Sequence, residues 1–164
     1  MNEKKCRSVE WYTPSDVVEA ARKTLGVIEL DPATAPHNPV GALEHYSSGG
    51  LEKPWTDGTF VNPPYGSGFD RWCEKIALES AYGYRILALL PCGARFSTKY
   101  FQKYVLSSRL TWVVFFNRRL AFTGPYGERV GTKNIYDSAL WCYNIESVCA
   151  FGGLGKVVKC QTKN

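Results

Sequence analysis

The chain has 164 residues, 45% of them hydrophobic and 14% aromatic, which is enough for one domain with a substantial core. Its 20 lysines and arginines against 15 aspartates and glutamates give a net charge of +5, which permits a nucleic-acid partner without demanding one. No apolar run is long enough to cross a bilayer and the N-terminus has no apolar signal core, so we expect a soluble, cytoplasmic protein without a membrane partner.

Six cysteines are spread along the chain, and none forms a Cys-x-x-Cys pair. Only two histidines could assist them as imidazole ligands. We therefore predict no metal site. Without a signal peptide the thiols are expected to be reduced.

The first predicted element is a helix that follows a polar start. Residues 1–10 are expected to be loosely ordered, and Trp11, Tyr12, Thr13 and Pro14 come next. Apolar residues then recur at helical spacing up to a glycine, which predicts a helix over about 15–25. The segment before the helix has two interpretations: it forms a loop at a cofactor site, or its aromatic residues pack beside the helix start.

A short β-branched run over 27–30 predicts a strand, and Asp31, Pro32 and Ala33 end it. An acidic side chain at the carboxyl end of a strand commonly meets a ligand's hydroxyl or amino groups in α/β proteins. Asp-Pro is also a common turn, so both interpretations stay open. Residues 35–58 are rich in Pro, Gly, Ser and Asn, which predicts a long irregular segment over the sheet that is functional or mobile.

The stretch from Thr59 to Val61 predicts a short buried strand that runs directly into the sequence Asn62, Pro63, Pro64, Tyr65. Two prolines remove two backbone donors and fix two φ angles, so the strand ends and the turn is stiff. A helix over 69–82 and a buried strand over 85–91 complete a predicted βαβ unit. The turn then lies where open α/β sheets bind ligands.

Beyond this unit the pattern predicts a helix over about 98–106, strands over 110–116 and 137–143, and a basic tail. Basic residues occur in the loops after two of the predicted strands. Arginine binds phosphate groups through a planar fork, so these residues are candidate contacts to a polyanion, although a solvated turn is an equal alternative. The candidates are Arg95, Arg118, Arg119, Arg129 and Lys133.

The Asn-Pro-Pro-Tyr turn suits chemistry at a planar amino group. The lone pair of such a nitrogen is delocalised into the attached ring, which makes it a poor nucleophile. The side-chain oxygen of Asn62 and the backbone carbonyl of Pro63 can accept hydrogen bonds that favour a pyramidal nitrogen and free its lone pair. Tyr65 would stack on a base that has been swung out of its duplex.

Asn62 to Tyr65 matches the catalytic motif of S-adenosylmethionine-dependent amino methyltransferases. Three further stretches resemble the phage-type DNA N6-adenine methyltransferase family, and together the similarity covers about residues 10–145. These stretches are Glu-Trp-Tyr-Thr-Pro at 10–14, Leu-Asp-Pro-Ala at 30–33, and residues 118–122 followed by Ser-Ala-Leu at 138–140.

The resemblance implies a Rossmann-like class I methyltransferase fold, S-adenosylmethionine as donor and adenine N6 in DNA as acceptor. It places Tyr12, Thr13 and Pro14 at the donor's methionine moiety, with Trp11 in the same cofactor-binding segment. It also implies that Asp31, with its neighbours Pro32 and Ala33, holds the donor's amino or hydroxyl groups, and that Asp57 lies near the adenosine end. The five basic residues become candidate DNA contacts, and the likeness to phage enzymes implies action in a host cytoplasm.

Two features depart from the pattern of methyltransferases. Asp31 and Asn62 are close in the chain, and the glycine-rich loop usual after the first strand is absent. We therefore expect one compact α/β domain over 1–164 with a reduced, mostly parallel sheet of about five strands and helices on both faces. We expect no separate target-recognition domain, and the sequence leaves the oligomeric state open between monomer and dimer.

Three functions remain open at this stage. The first is DNA adenine-N6 methylation. The second is the same chemistry on an RNA base or on a protein glutamine, because each acceptor is a planar NH₂ group. The third is nucleic-acid binding without catalysis, which the intact Asn62 and Tyr65 disfavour.

Overall fold

A computed structural model of the chain describes residues 12–93, 95–107, 109–124 and 137–160. The predicted helices over 15–25 and 69–82 are confirmed, whereas the helix predicted over about 98–106 is mainly one π-helical turn. The helical segments within the described residues are α1 (Ser15–Leu25), α2 (Phe69–Ala81), the π-helical turn Phe101–Val105 and the 3₁₀ turn Cys149–Phe151.

Seven strands form one sheet in the described part of the chain. They are β1 (Leu30–Asp31), β2 (Glu44–His45), β3 (Thr59–Val61), β4 (Ile86–Pro91), β5 (Leu110–Phe116), β6 (Ser138–Tyr143) and β7 (Gly155–Lys159). Their order is β2-β1-β3-β4-β6-β5-β7. β1 pairs in parallel with β2 and β3, and β3 pairs in parallel with β4. β6 is antiparallel to β4 and β5, and β7 is antiparallel to β5.

The prediction of a mostly parallel sheet of about five strands is wrong, although the mixed α/β class is confirmed. The longest ladders are the antiparallel ones of β4 with β6, β6 with β5, and β5 with β7. β2 has only two residues inside the segment predicted as irregular, so it leaves no periodic signal. β7 carries two lysines in what the sequence suggested was a basic tail.

Helices cover both faces of the sheet, as predicted. Leu87 and Leu89 of β4 join a buried cluster with α1 and the 3₁₀ turn. Ile86, Ala88 and Leu90 point to the other face and join a cluster with α2 and the π-helical turn. All of β4 is buried, as expected for a strand covered on both sides.

The strand order reverses at β1. The chain runs from β1 to β2 on one side and then returns to β3 on the other side of β1. Because β5 runs in the same direction as β4, the carboxyl ends of β1, β3, β4 and β5 meet at one edge of the sheet. A crevice at such a reversal is the usual ligand site of open α/β sheets.

Candidate active site

A cavity of about 430 Å³ opens at the carboxyl ends of β1 and β3. Nine residues singled out from the sequence contribute to its walls: Tyr12 and Thr13, Asp31 to Ala33, and Asn62 to Tyr65. The structure therefore brings together three segments that lie far apart in the chain. The cavity volume lies within the range typical of small-molecule sites.

The Asn-Pro-Pro-Tyr turn is held by contacts at both of its ends. The Asn62 side-chain amide nitrogen donates to the Thr13 hydroxyl at 3.3 Å. The Tyr65 hydroxyl donates to the Leu89 carbonyl of β4 at 3.2 Å, and its ring meets Phe69 edge-on with 5.9 Å between centroids. Burial raises the pKa of Tyr65 well above its usual range, so its phenol stays protonated and keeps donating.

Asp31 places a carboxyl group in the cavity wall with only 2% of the residue exposed. Burial raises its pKa to about 6, and this rise is opposed by hydrogen bonds from the Ala33 amide and the Thr34 side chain and by the charge of His45. The Ala33 amide lies 3.1 Å from the carboxylate oxygen. A buried acidic group at a ligand cavity can receive a ligand's cation or hydroxyl groups.

The segment before α1 is tied to the segment after β5. Tyr12 and Thr123 form an antiparallel bridge with backbone hydrogen bonds of 2.8 and 3.3 Å. Phe122 is 4% exposed and lines the cavity beside Tyr12 and Thr13. Pro14 caps α1 rather than lining the cavity, and Trp11 lies outside the described residues.

Sequence reasoning missed one wall of the cavity, which is formed by the segment Tyr46–Gly50 together with Trp72. A Cβ atom on Gly50 would lie 1.9 Å from the Pro32 carbonyl oxygen, so only glycine permits this approach of the two loops. Trp55 anchors the wall, because its indole nitrogen donates to the Gly50 carbonyl at 2.8 Å. The adjacent Gly49 and Gly50 were the available sequence signal for a close backbone approach.

Asp57 does not join the cavity. It lies at the opposite edge of the sheet, before β3. Its carboxylate accepts hydrogen bonds of 2.7 Å from the Arg85 backbone amide and from the Arg85 guanidinium nitrogen Nη2. Burial raises the pKa of Asp57, but the hydrogen bonds and charge of Arg85 outweigh that effect and lower the pKa overall. The cofactor role that the resemblance implied for Asp57 is therefore corrected to a structural one.

Three of the basic candidates are described. The Arg95 guanidinium lies over the Phe69 ring, 5.0 Å from its centroid, and thus stands near the Tyr65 ring. Arg118 pairs with Asp16 and Arg119 pairs with Asp137, just beyond the carboxyl end of β5. Arg129 and Lys133 lie outside the described residues. Arg95, Arg118 and Arg119 therefore occupy the same edge of the sheet as the cavity, without lining it.

The sequence model of one protein family, described as DNA N-6-adenine-methyltransferase (Dam), matches residues 2–139. That range contains the whole cavity and more than half of the chain. The chain belongs to the Dam family. Dam membership implies DNA adenine methyltransferase activity, with DNA as the substrate. Comparisons with curated proteins and with solved structures found no significant match.

Two further findings concern only the described residues of this Dam-family chain. No helix among them is long and apolar enough to span a membrane. They also contain no group of three or more His, Cys, Asp or Glu side chains that could hold a metal ion.

Proposed function

We propose that the chain is an S-adenosylmethionine-dependent methyltransferase that methylates the N6 amino group of adenine in DNA. The observation that carries the proposal is the meeting of Asp31 and Asn62 in one cavity at the reversal of strand order. That reversal and the helices on both faces also support a Rossmann-like class I fold, here with an additional antiparallel strand, β7, at the sheet edge.

The residues of the cavity fit S-adenosylmethionine as the donor. Asp31 supplies a buried carboxylate suited to an ammonium or hydroxyl group, and Tyr12, Thr13, Pro32 and Ala33 line the same cavity. When bound, the donor supplies an electrophilic methyl group on a positively charged sulfur. Ionised Asp31 would stabilise that cationic ligand in a site of low dielectric.

Asn62 and the Pro63 backbone carbonyl would act on the acceptor. They accept hydrogen bonds from the adenine amino group and draw its lone pair out of conjugation with the ring. Tyr65 offers an aromatic surface for the base, which must leave the duplex to reach the cavity. Arg95, Arg118 and Arg119, with Arg129 and Lys133, would bind the phosphates of the surrounding DNA.

The first test replaces the residue that acts on the acceptor. Asn62→Ala removes the side-chain acceptor, so methyl transfer to DNA should fall by at least about 1000-fold, while donor affinity measured by calorimetry stays within about threefold. Asn144→Ala is the matched control, because Asn144 binds the Ser80 and Tyr84 carbonyls at the opposite edge of the sheet. We expect the control to lose stability and to keep its turnover.

The acceptor is tested with labelled donor against duplex DNA, RNA and protein, followed by nucleoside analysis for N6-methyladenine. Label in DNA as N6-methyladenine supports the proposal. Label confined to RNA or to protein would instead assign the same chemistry to another planar amino group. Activity that survives Asn62→Ala would contradict the proposed mechanism, whichever acceptor is used.

A further inference from the structure

The charged residues of the chain are unevenly distributed. No aspartate or glutamate occurs between Glu79 and Glu128, and all seven charged residues in that interval are lysine or arginine. The rest of the chain has slightly more acidic than basic residues, so this interval accounts for the positive net charge. A concentration of positive charge in one segment is typical of a surface that binds a polyanion.

The connection between β4 and β5 lies in the middle of this interval. It begins at the edge of the sheet that carries the cavity and ends at the opposite edge. Arg95 is near its start, and the Arg95 guanidinium lies over the ring of Phe69, which meets the Tyr65 ring edge-on. Lys99 follows four positions later and is exposed. The first part of the connection therefore places two basic side chains beside the cavity.

An exposed aromatic ring lies between these two basic residues. Phe96 is 41% exposed, and its ring meets the buried ring of Phe101 with 4.9 Å between centroids. The Phe96 carbonyl accepts a hydrogen bond of 2.7 Å from the side-chain amide of Gln102, which holds the turn in place. A single exposed apolar side chain is common on protein surfaces. An aromatic ring flanked by basic side chains, however, is the arrangement that binds bases and phosphates together.

We propose that the turn at 95–99 is a DNA-binding surface beside the cavity. Lys99 binds a backbone phosphate there, and Phe96 stacks on a base that is uncovered when the target adenine leaves the duplex. This inference rests on the proposed function and adds two contacts to the candidate arginines. When a base leaves the duplex its neighbours lose stacking energy, and an apolar side chain at the opening can replace that contact.

The first test removes the aromatic ring. With a duplex that the protein methylates, Phe96→Ala should weaken DNA binding by about 5- to 100-fold, as expected when one base loses an aromatic partner. Donor affinity should stay within about threefold. Phe96→Tyr keeps a flat ring and should bind DNA within about threefold of the original protein. Tyr82→Ala is the matched control, because Tyr82 is 78% exposed at the end of α2, at the opposite edge of the sheet, and its loss should leave DNA affinity unchanged.

The second test removes the charge of Lys99. Lys99→Ala should weaken DNA binding and reduce the slope of log affinity against log salt concentration by about one. Lys23→Ala is the matched control, because Lys23 is an exposed lysine in the last turn of α1, at the opposite edge of the sheet. It should change neither the affinity nor the slope. Fluorescence anisotropy with the labelled duplex measures both quantities for all five variants.

Photocrosslinking locates the aromatic contact directly. The duplex carries 5-bromouracil in place of the thymine nearest to the methylated adenine, and the irradiated complex is digested with trypsin. Trypsin cleaves after Arg95 and Lys99, so a contact with Phe96 should yield DNA attached to the peptide 96–99. Crosslinks confined to α1 or to β7 would contradict the inference.

The outcomes separate this inference from the proposed function. If Phe96→Ala and Lys99→Ala bind DNA as the original protein does, the inference is wrong, even where Asn62→Ala is inactive and the proposed function stands. If Phe96→Ala changes the sedimentation mass of the protein but not its DNA affinity, the turn is an interface between copies of the chain, and the inference is again wrong. Absence of N6-methyladenine from DNA treated with the original protein would overturn the proposed function and this inference together.

Discussion

Asp31 combines deep burial with a proposed role that needs its charge. The residue is 2% exposed, and burial raises the pKa of its carboxyl group from the usual 3.8 to about 6. At neutral pH the protein therefore keeps an ionised group in a place that favours the neutral form. The proposed donor contact needs the ionised form of Asp31, whereas the stability of the fold favours the neutral form.

The free-energy cost of burying the ionised Asp31 carboxylate can be measured, because it makes the free energy of unfolding depend on pH. The pKa of Asp31 is higher in the folded state than in the unfolded state. Between about pH 4 and pH 6 the folded chain therefore binds a proton that the unfolded chain lacks. The free energy of unfolding that Asp31 contributes falls as the pH rises through this window. Asp31→Asn removes the effect. In urea unfolding at pH 7.5 we expect the variant to gain up to about 3 kcal/mol, and at pH 3.5 to gain none.

The same variant should bind S-adenosylmethionine more weakly at pH 7.5, because the ionised carboxylate is lost. In the original protein, donor affinity should fall on acidification through about pH 6, as Asp31 takes up a proton. Calorimetry across pH 5 to 8 measures both effects. A pH-independent affinity in the original protein would contradict the donor role of Asp31.

At the scale of elements, β7 shows how closely backbone segments can approach. It pairs with β5 at the sheet edge, and a Cβ atom on Gly155 would lie 2.1 Å from the Phe115 carbonyl oxygen. Gly153, two positions earlier, has nothing within 4 Å of such an atom. The two glycines are therefore a matched pair, in which only one has a packing requirement.

Gly155→Ala should lower the free energy of unfolding by about 1–3 kcal/mol, because the added methyl group forces β7 away from β5. Gly153→Ala should change it by less than about 0.5 kcal/mol. Urea unfolding gives both values. Donor affinity below the melting transition should be unchanged in each variant, since β7 lies at the opposite end of the strand order from β1. Equal stability of the two variants would refute the packing argument.

At the scale of the whole molecule, surface arginines lie at both ends of β5 and therefore at opposite edges of the sheet. Arg118 and Arg119 follow its carboxyl end, at the edge that carries the cavity, whereas Arg109 precedes its amino end. The pair of Arg119 with Asp137 is exposed, with 68% and 67% of the side chains accessible. Such a pair contributes little stability, so a DNA phosphate can replace Asp137.

Arg119→Ala should weaken DNA binding and reduce the slope of log affinity against log salt concentration by about one. Arg109→Ala should leave the slope unchanged, because Arg109 lies at the other edge. Fluorescence anisotropy with a labelled duplex at several salt concentrations measures both slopes. If the two variants behaved alike, DNA would not be bound specifically at the carboxyl edge.

The parts of this site that sequence predicted are those with local signals. Asp31 and Asn62 each end a β-branched or apolar run, and the prolines mark the turn, so their place at strand ends could be read directly. The Tyr46–Gly50 wall and Phe122 reach the cavity only through pairing across the sheet and through the bridge from Tyr12 to Thr123. Apart from the adjacent Gly49 and Gly50, no local pattern indicates such contacts.

The lack of a local signal also explains the errors in the predicted fold. β2 is two residues long, and the insertion of β6 between β4 and β5 depends on long-range pairing rather than composition. Asp57 was assigned by likeness to a family. Its actual partner, Arg85, precedes the next strand and is charge-complementary, but nothing in the sequence distinguished that pairing from a ligand contact.

The bridge from Tyr12 to Thr123 also has a consequence for how the protein is made. Because the cavity takes walls from Tyr12 through Phe122, no ribosome-bound chain that ends before Phe122 can form the complete cavity. Contacts of such long sequence separation also slow folding. The complete cavity therefore forms only after the chain has emerged beyond β5.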